Sequence, residues 1–306
     1  MIYTLTCNPA IDYLMHTKDI RIGSVNRSST EEFYIGGKGI NVSTVLSELS
    51  VPNTALGFIA GFTGNAIEQG LRNQGISCDF IHLKNGFSRI NVKIRADEET
   101  EINGQGPPVV KEDISRLFQK LDALVQGDTL VLAGSVPNSL PHDFYEQILH
   151  RLSDRGIRFV VDAEGELLLR VLKYRPFLIK PNNHELGALF GRKLHGIGEI
   201  GEYARRLQAM GARNVLVSMA GDGALLIDED GIQHFCAACK GVVRNSVGAG
   251  DSMVAGFLAG LQSGDYAHAL MVGTATGGAT AFSDGLAVKT EIDALLEILS
   301  ERGRRS

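Results

Sequence analysis

The chain has 306 residues, 44% apolar and 21% charged, with 30 basic and 35 acidic side chains for a net charge of −5. With the basic residues scattered, this balance provides no field to attract nucleic acid, and no run reaches the roughly 18 apolar residues of a membrane-spanning helix. One α/β unit is ordinary at this length, and any anionic ligand must be met by a local site.

Met1 to Pro9 lacks the basic flank, apolar stretch and cleavage site of a signal peptide and reads as a first strand, which predicts a cytoplasmic protein. Residues 11–35 carry short strands and turns with no helix between them. A helical stripe then follows at Ile40, Val45, Leu46 and Leu49, and a β-rich run at Thr54 to Ile59. Residues 87–103 again read as strands and turns: Arg89 to Arg95 alternates polar and apolar residues, as a strand with one face on solvent or ligand does. Further helical stripes at 114–124 and 148–152 alternate with runs at Thr129 to Ala133, Arg158 to Asp162, Phe177 to Lys180 and Asn214 to Ser218. Leu130-Val131-Leu132 and Phe159-Val160-Val161 are continuously apolar, the mark of strands buried on both faces. The last third predicts helices over Ser252 to Gln262, Tyr266 to Ala281 and Glu291 to Arg302, with Gly256 and Gly260 pointing to close packing. The alternation predicts a doubly wound α/β fold with a mostly parallel sheet, and the excursions 11–35 and 87–103 a small separate sheet. Four cysteines make no disulfide framework, and Cys236-Ala-Ala-Cys239 lacks the second ligand pair of a zinc site, so no metal is assigned to it.

The strongest local signal is Gly248-Ala249-Gly250-Asp251 before a helix. Small residues let the backbone approach a ligand, and the free N–H groups of a starting helix attract an anion. Asp251 taken alone fits a helix cap equally well. Gly36-Gly37-Lys38-Gly39-Ile40-Asn41 also opens a helix, but Glu32 and Gly39 break the P-loop pattern and Val42 the Rossmann fingerprint. It reads as a tight turn or as a loop whose lysine meets a phosphate or a sugar hydroxyl. Lys180-Pro181-Asn182-Asn183-His184-Glu185 stands beyond a buried strand, where doubly wound sheets bind ligands. Glu185 suits hydrated Mg2+, which needs few carboxylates beside phosphates; it suits a capping box with Asn182 as well. Ser218 to Gly223 and Gly134-Ser135 occupy similar strand ends, the first readable as a plain glycine hairpin.

Taken in order, Asn8 to Asp12, Gly36 to Asn41, Lys180 to Glu185, Ser218 to Gly223 and Gly248 to Asp251 resemble the PfkB, or ribokinase-like, carbohydrate kinase family along essentially the whole chain. Ser88 to Lys93 and Ala279 to Gly285 resemble most the members that phosphorylate D-fructose 1-phosphate, with tagatose 6-phosphate and fructose 6-phosphate kinases close behind. The resemblance implies a ribokinase-like fold spanning 1–306, with the excursions as a β-lid that forms a homodimer contact. It implies Asp251 as the base, with the backbone of Gly248, Ala249 and Gly250 around the transferring phosphoryl group. It implies Lys180, Asn182 and Glu185 at the phosphates of ATP and Mg2+, and Ser218, Gly221 and Gly223 at the nucleotide. It implies Asp12, Gly37 and Asn41 as the groups that orient sugar hydroxyls, and Ser135 as a further substrate contact.

A phosphosugar brings a charge of about −2. Arg27, Lys38, Arg89 and Lys93 are the cations available to it, Arg89 and Lys38 foremost. Many relatives have Asp-Thr where this chain has Asn245-Ser246, so a monovalent cation site depends here on backbone carbonyls. A nucleotide-binding dehydrogenase is disfavoured by the missing fingerprint, and a silent sugar-phosphate sensor by the intact Gly248 to Asp251 motif.

Overall fold

Residues 1–303 are described by a computed structural model. The chain begins with β1 (Ile2–Thr6), β2 (Ala10–His16), β3 (Thr30–Gly36) and α1 (Lys38–Glu48). It continues through β4 (Asn53–Ala60), α2 (Gly61–Asn73), β5 (Ser77–Cys78), β6 (Ile81–Leu83), β7 (Arg89–Arg95) and β8 (Glu99–Asn103). Then come α3 (Lys111–Leu121), β9 (Thr129–Ala133), α4 (Phe144–Leu152), β10 (Arg158–Asp162), α5 (Gly165–Val171), β11 (Leu178–Ile179) and α6 (Asn183–Leu189). The remainder is α7 (Gly196–Ala209), β12 (Asn214–Ser218), β13 (Ala224–Ile227), β14 (Gln233–Cys236), α8 (Ala249–Gly260), α9 (Tyr266–Phe282) and α10 (Lys289–Gly303).

The large sheet runs β14-β13-β12-β11-β10-β9-β1-β4-β5, with β6 also on β4. Its pairings are parallel from β12 to β5, and the hairpin β13–β14 is antiparallel at one edge. Continuous apolar runs dictate this: β9 is buried at every residue, and Leu130, Leu132 and Val161 join one core layer while Val131 and Val160 join the other. Alternate side chains thus feed helix layers on opposite faces, the doubly wound arrangement.

The excursions fold as expected into a separate sheet, β3-β2-β7-β8. Its central pair, β2 with β7, is parallel and aligns Asp12 with Asn91 and Ala10 with Arg89. One face carries Asp12, Asn91 and Lys93; the other carries Phe33 and Ile102, 66% and 62% exposed.

The elements differ from the sequence reading in three respects. β11 is two residues rather than four: its ladder is interrupted at Pro181, which has no N–H to give, before the bridge of Asn182 with Ser218. α8 starts at Ala249, three residues early, so Asp251 stands in its first turn. α2, α5 and α7 carry no stripe in the expected set, since α2 and α7 are interrupted by glycines and α5 is seven residues long. Gly256 and Gly260 do mark close packing: a Cβ on Gly256 would lie 2.4 Å from Thr276 Oγ1, and one on Gly260 2.8 Å from the Cα of Ala269, both on α9.

Candidate active site

The strand ends of β1, β9, β10 and β12 and the N-termini of α1 and α8 converge at one end of the large sheet. Gly248 caps α8 in the left-handed region and offers no side-chain bond, and the N–H groups of Gly250 and Asp251 have no partner among the described residues. Unpaired donors at a helix start are an anion cradle. Inside it, the Asp251 carboxylate is buried, and Asn41 Nδ2 from α1 donates to its Oδ2 at 2.7 Å. Burial, then the charge of Asp162, push the Asp251 pKa up to about 7, against the Asn41 bond and the charges of Lys180 and Lys38. A carboxyl poised there gains or loses its proton near neutrality, as a general base must.

Beside Asp251 lies a cluster the sequence reading saw only in part. Asp162, at the end of β10, is 2% exposed, and its Oδ1 stands 3.4 Å from Lys180 Nζ and 3.6 Å from Lys38 Nζ. Lys38 also stands 3.5 Å from Glu164 Oε1. Lys180 abuts the cradle, since a Cβ built on Gly250 would lie 3.1 Å from its Nζ. Asp162 was missed because it reads as the last residue of a buried run; the rule that ligands meet strand ends singles it out.

Two cavities flank the Gly36–Asn41 segment. One, of about 650 Å3, is lined by Gly37, Lys38, Arg89 and Ser135, with Glu164 and Thr6. The other, of about 620 Å3, is lined by Asp12, Asn41 and Lys93 together with Asn245 and Leu286. The predicted sugar residues are therefore divided between adjoining spaces. Gly37 joins them at φ +127, and a Cβ there would strike Thr6 Cγ2 at 2.7 Å, so only glycine keeps this turn against β1. Asp12 is fixed by Asn91 Nδ2, which donates to its Oδ1 at 2.7 Å, and by Lys93 Nζ 3.5 Å from its Oδ2. Asn91 is a partner the sequence reading did not assign, legible in the register of β2 and β7. Arg89 is half-buried with its Nε unpaired, and burial holds its guanidinium below the usual pKa against the pull of Asp12. A buried donor without an acceptor costs about 1–3 kcal/mol, which an anionic ligand would recover. Arg27 is not brought in: it is exposed on the connection between β2 and β3 and lines neither cavity.

At the other side Asn182 Oδ1 accepts from His184 N and Glu185 N at 2.9 and 2.8 Å, and Asn182 N donates to Glu185 Oε2 at 2.7 Å. The capping box is thus formed, with Glu185 Oε1 left over. A bridge sets Asn182 beside Ser218. Gly221 is open, whereas Gly223, at φ +104, is pressed so closely that a Cβ would lie 2.1 Å from the carbonyl oxygen of Cys236. Asn245 Nδ2 donates to the carbonyl of Asp284 and its Oδ1 accepts from Val247 N. No group of three or more His, Cys, Asp or Glu forms a metal cage among the described residues, and none of their helices is long and apolar enough to cross a membrane.

The profile described as pfkB family carbohydrate kinase matches residues 6–292. The chain belongs to the pfkB family of carbohydrate kinases. It is 46% identical to a 1-phosphofructokinase of Bacillus subtilis, with 97% of each chain covered. It is 38% identical to a D-tagatose-1-phosphate kinase of Bacillus licheniformis, with 96% of each covered. The fold matches phosphofructokinase-2 of Escherichia coli in complex with fructose-6-phosphate at a TM-score of 0.89 and 26% identity, covering 98% of this chain and 99% of that one. This pfkB kinase transfers a phosphoryl group to a sugar hydroxyl.

Proposed function

We propose that this kinase converts ATP and D-fructose 1-phosphate to ADP and D-fructose 1,6-bisphosphate. The observation that carries it is the Asp251 carboxylate, held by Asn41 within the first turn of α8 beside partnerless N–H groups. Asp251 takes the proton of the C6 hydroxyl as its oxygen attacks the terminal phosphorus. The N–H groups around Gly248, Ala249 and Gly250 meet the charge on the phosphoryl oxygens, donors that are already in place and need no reorganisation.

Arg89 and Ser135 face the cavity that suits the acceptor's own phosphate, and Asp12, Gly37 and Asn41 the sugar hydroxyls across the Gly36–Gly37 turn. Lys180, with Asn182, Ser218, Gly221 and Gly223 near the ends of β11 and β12, serves the nucleotide. Glu185, with its spare Oε1, fits the sparse carboxylate demand of hydrated Mg2+. When bound, the ion would neutralise charge on the ATP phosphates. E. coli phosphofructokinase-2 has also been solved with potassium; here Asn245 brings no carboxylate, so carbonyls alone would hold such an ion.

We read the small sheet as a lid whose polar face covers the sugar and excludes water. Its other face, with Phe33 and Ile102, is suited to a second copy, as a homodimer contact. A cytoplasmic location agrees with four free thiols.

The test is ADP release from ATP and Mg2+ with fructose 1-phosphate, fructose 6-phosphate, tagatose 1-phosphate and tagatose 6-phosphate. The highest kcat/KM is expected with fructose 1-phosphate. A higher value with any of the others would replace the substrate, and no release above that with water would overturn the reading. The second acceptor is tagatose 1-phosphate, favoured by the Bacillus licheniformis relative; the 6-phosphate comes behind it.

A further inference from the structure

Lys38 and Arg89 line one cavity, yet their charged ends lie in different surroundings. Arg89 is on β7, in the field of Asp12. Lys38 reaches the other way: its ammonium shares Asp162 Oδ1 with Lys180, which itself abuts Gly250 of the cradle. Two ammoniums on one buried oxygen are close neighbours, and both act on Asp251 whereas Arg89 is not among the main charges there. The negative groups acting on Lys38 are Asp162, Asp251, Glu164 and Glu185; Asp162 and Asp251 stand at the transfer end, while Glu164 lines the cavity that Arg89 lines.

The acceptor's phosphate on C1 lies at the far end of the sugar from the reacting C6 hydroxyl. A cation placed beside the base is therefore remote from that phosphate. We infer that Lys38 is a catalytic residue that contacts the transferring phosphoryl group, opposite Lys180, with Asp162 as the positioning residue that spaces the two ammoniums, and that Arg89 alone of this pair serves the acceptor's phosphate. In the step, the C6 oxygen forms a bond to the terminal phosphorus as the bond from that phosphorus to the β-phosphate oxygen breaks. The hydroxyl proton passes to Asp251, and the electron pair of the broken bond leaves on ADP. The equatorial oxygens between the two partners carry the charge that Lys38 and Lys180 face. The shared counterion keeps both cations in place before substrate arrives, and Glu164, 65% exposed, is the group Lys38 gives up.

The inference rests on the proposed function, and steady-state kinetics with fructose 1-phosphate separates the two. Lys38→Met is expected to lower kcat about 100-fold or more with KM for the phosphosugar changed less than about threefold, and calorimetric binding of fructose 1-phosphate to stay near that of the unaltered protein. Lys38→Arg should recover part of kcat. Asp162→Asn should lower kcat through both lysines and shift the acidic limb of the pH profile downward, a readout that a merely packing role would not move. A Lys38→Met variant with normal kcat and a KM raised tenfold or more would return Lys38 to the acceptor's phosphate and overturn this assignment while leaving the function intact. No turnover by the unaltered protein would overturn both.

Discussion

Asn41→Ala removes one hydrogen bond from a base whose proton affinity is balanced near neutrality. The bond from Asn41 Nδ2 to Asp251 Oδ2, 2.7 Å long, favours the ionised carboxylate and so lowers its pKa. A hydrogen bond to a charged group contributes about 1.5–3 kcal/mol, which at 1.36 kcal/mol per unit is about one to two pH units. With Asp251 starting at about 7, its titration in the variant should lie one to two units higher. Only the carboxylate accepts the hydroxyl proton, so activity is lost as pH falls through this pKa. The acidic limb of kcat/KM, followed by ADP release across pH 5.5 to 9.5, should move up by that amount. The deficit should be largest near neutrality and shrink above it. Any part Asn41 plays in holding a sugar hydroxyl lowers activity equally at every pH and leaves the midpoint alone. An unmoved or lowered midpoint would refute the electrostatic account of Asp251.

Asp251→Asn should cut kcat by about 1,000-fold with the fold intact, and near-normal turnover would dismiss Asp251 as the base. The same variant should melt higher than the unaltered protein at pH 8. A folded-state pKa raised above the unfolded value of about 3.9 contributes stability at low pH that is lost as pH rises through 7; scanning calorimetry should show the difference fading toward pH 4. Arg89→Ala should raise KM for the phosphosugar about tenfold or more and leave KM for ATP unchanged; a loss of ATP affinity instead would move Arg89 to the nucleotide side.

The strands were legible where burial on both faces writes itself as unbroken apolar residues: β9, β10 and β12 begin and end where Thr129, Ala133, Arg158, Asp162, Asn214 and Ser218 predict. Polar alternation in Arg89 to Arg95 marked β7 for the same reason in reverse. α2 was not legible, because Gly64 and Gly70 stand where its buried stripe would need larger residues: Gly64 is pressed on Ile59 and Gly70 on Ile35. In the site, Asp251 and Asn41 were legible as motif members 210 positions apart, but their hydrogen bond was not. Contacts of that span are set by how α1 and α8 pack. Asp162 was hidden because its meaning comes from two lysines on other elements.

The parallel pairing of β2 with β7 also carries a cost in assembly. Asp12 and Asn91 are 79 residues apart in sequence, and the intervening chain belongs to β3, α1, α2 and the edge of the large sheet formed by β4, β5 and β6. On a growing chain the β2–β3 hairpin therefore emerges with one edge of β2 bare until β7 has been made. An unpaired edge beside Phe33 and Tyr13 is a template for pairing with another chain. The small sheet closes late, after the core that separates its halves, and the long loop this entails slows folding. The yield of soluble protein should accordingly depend more on conditions of synthesis than the stability of the finished molecule would indicate.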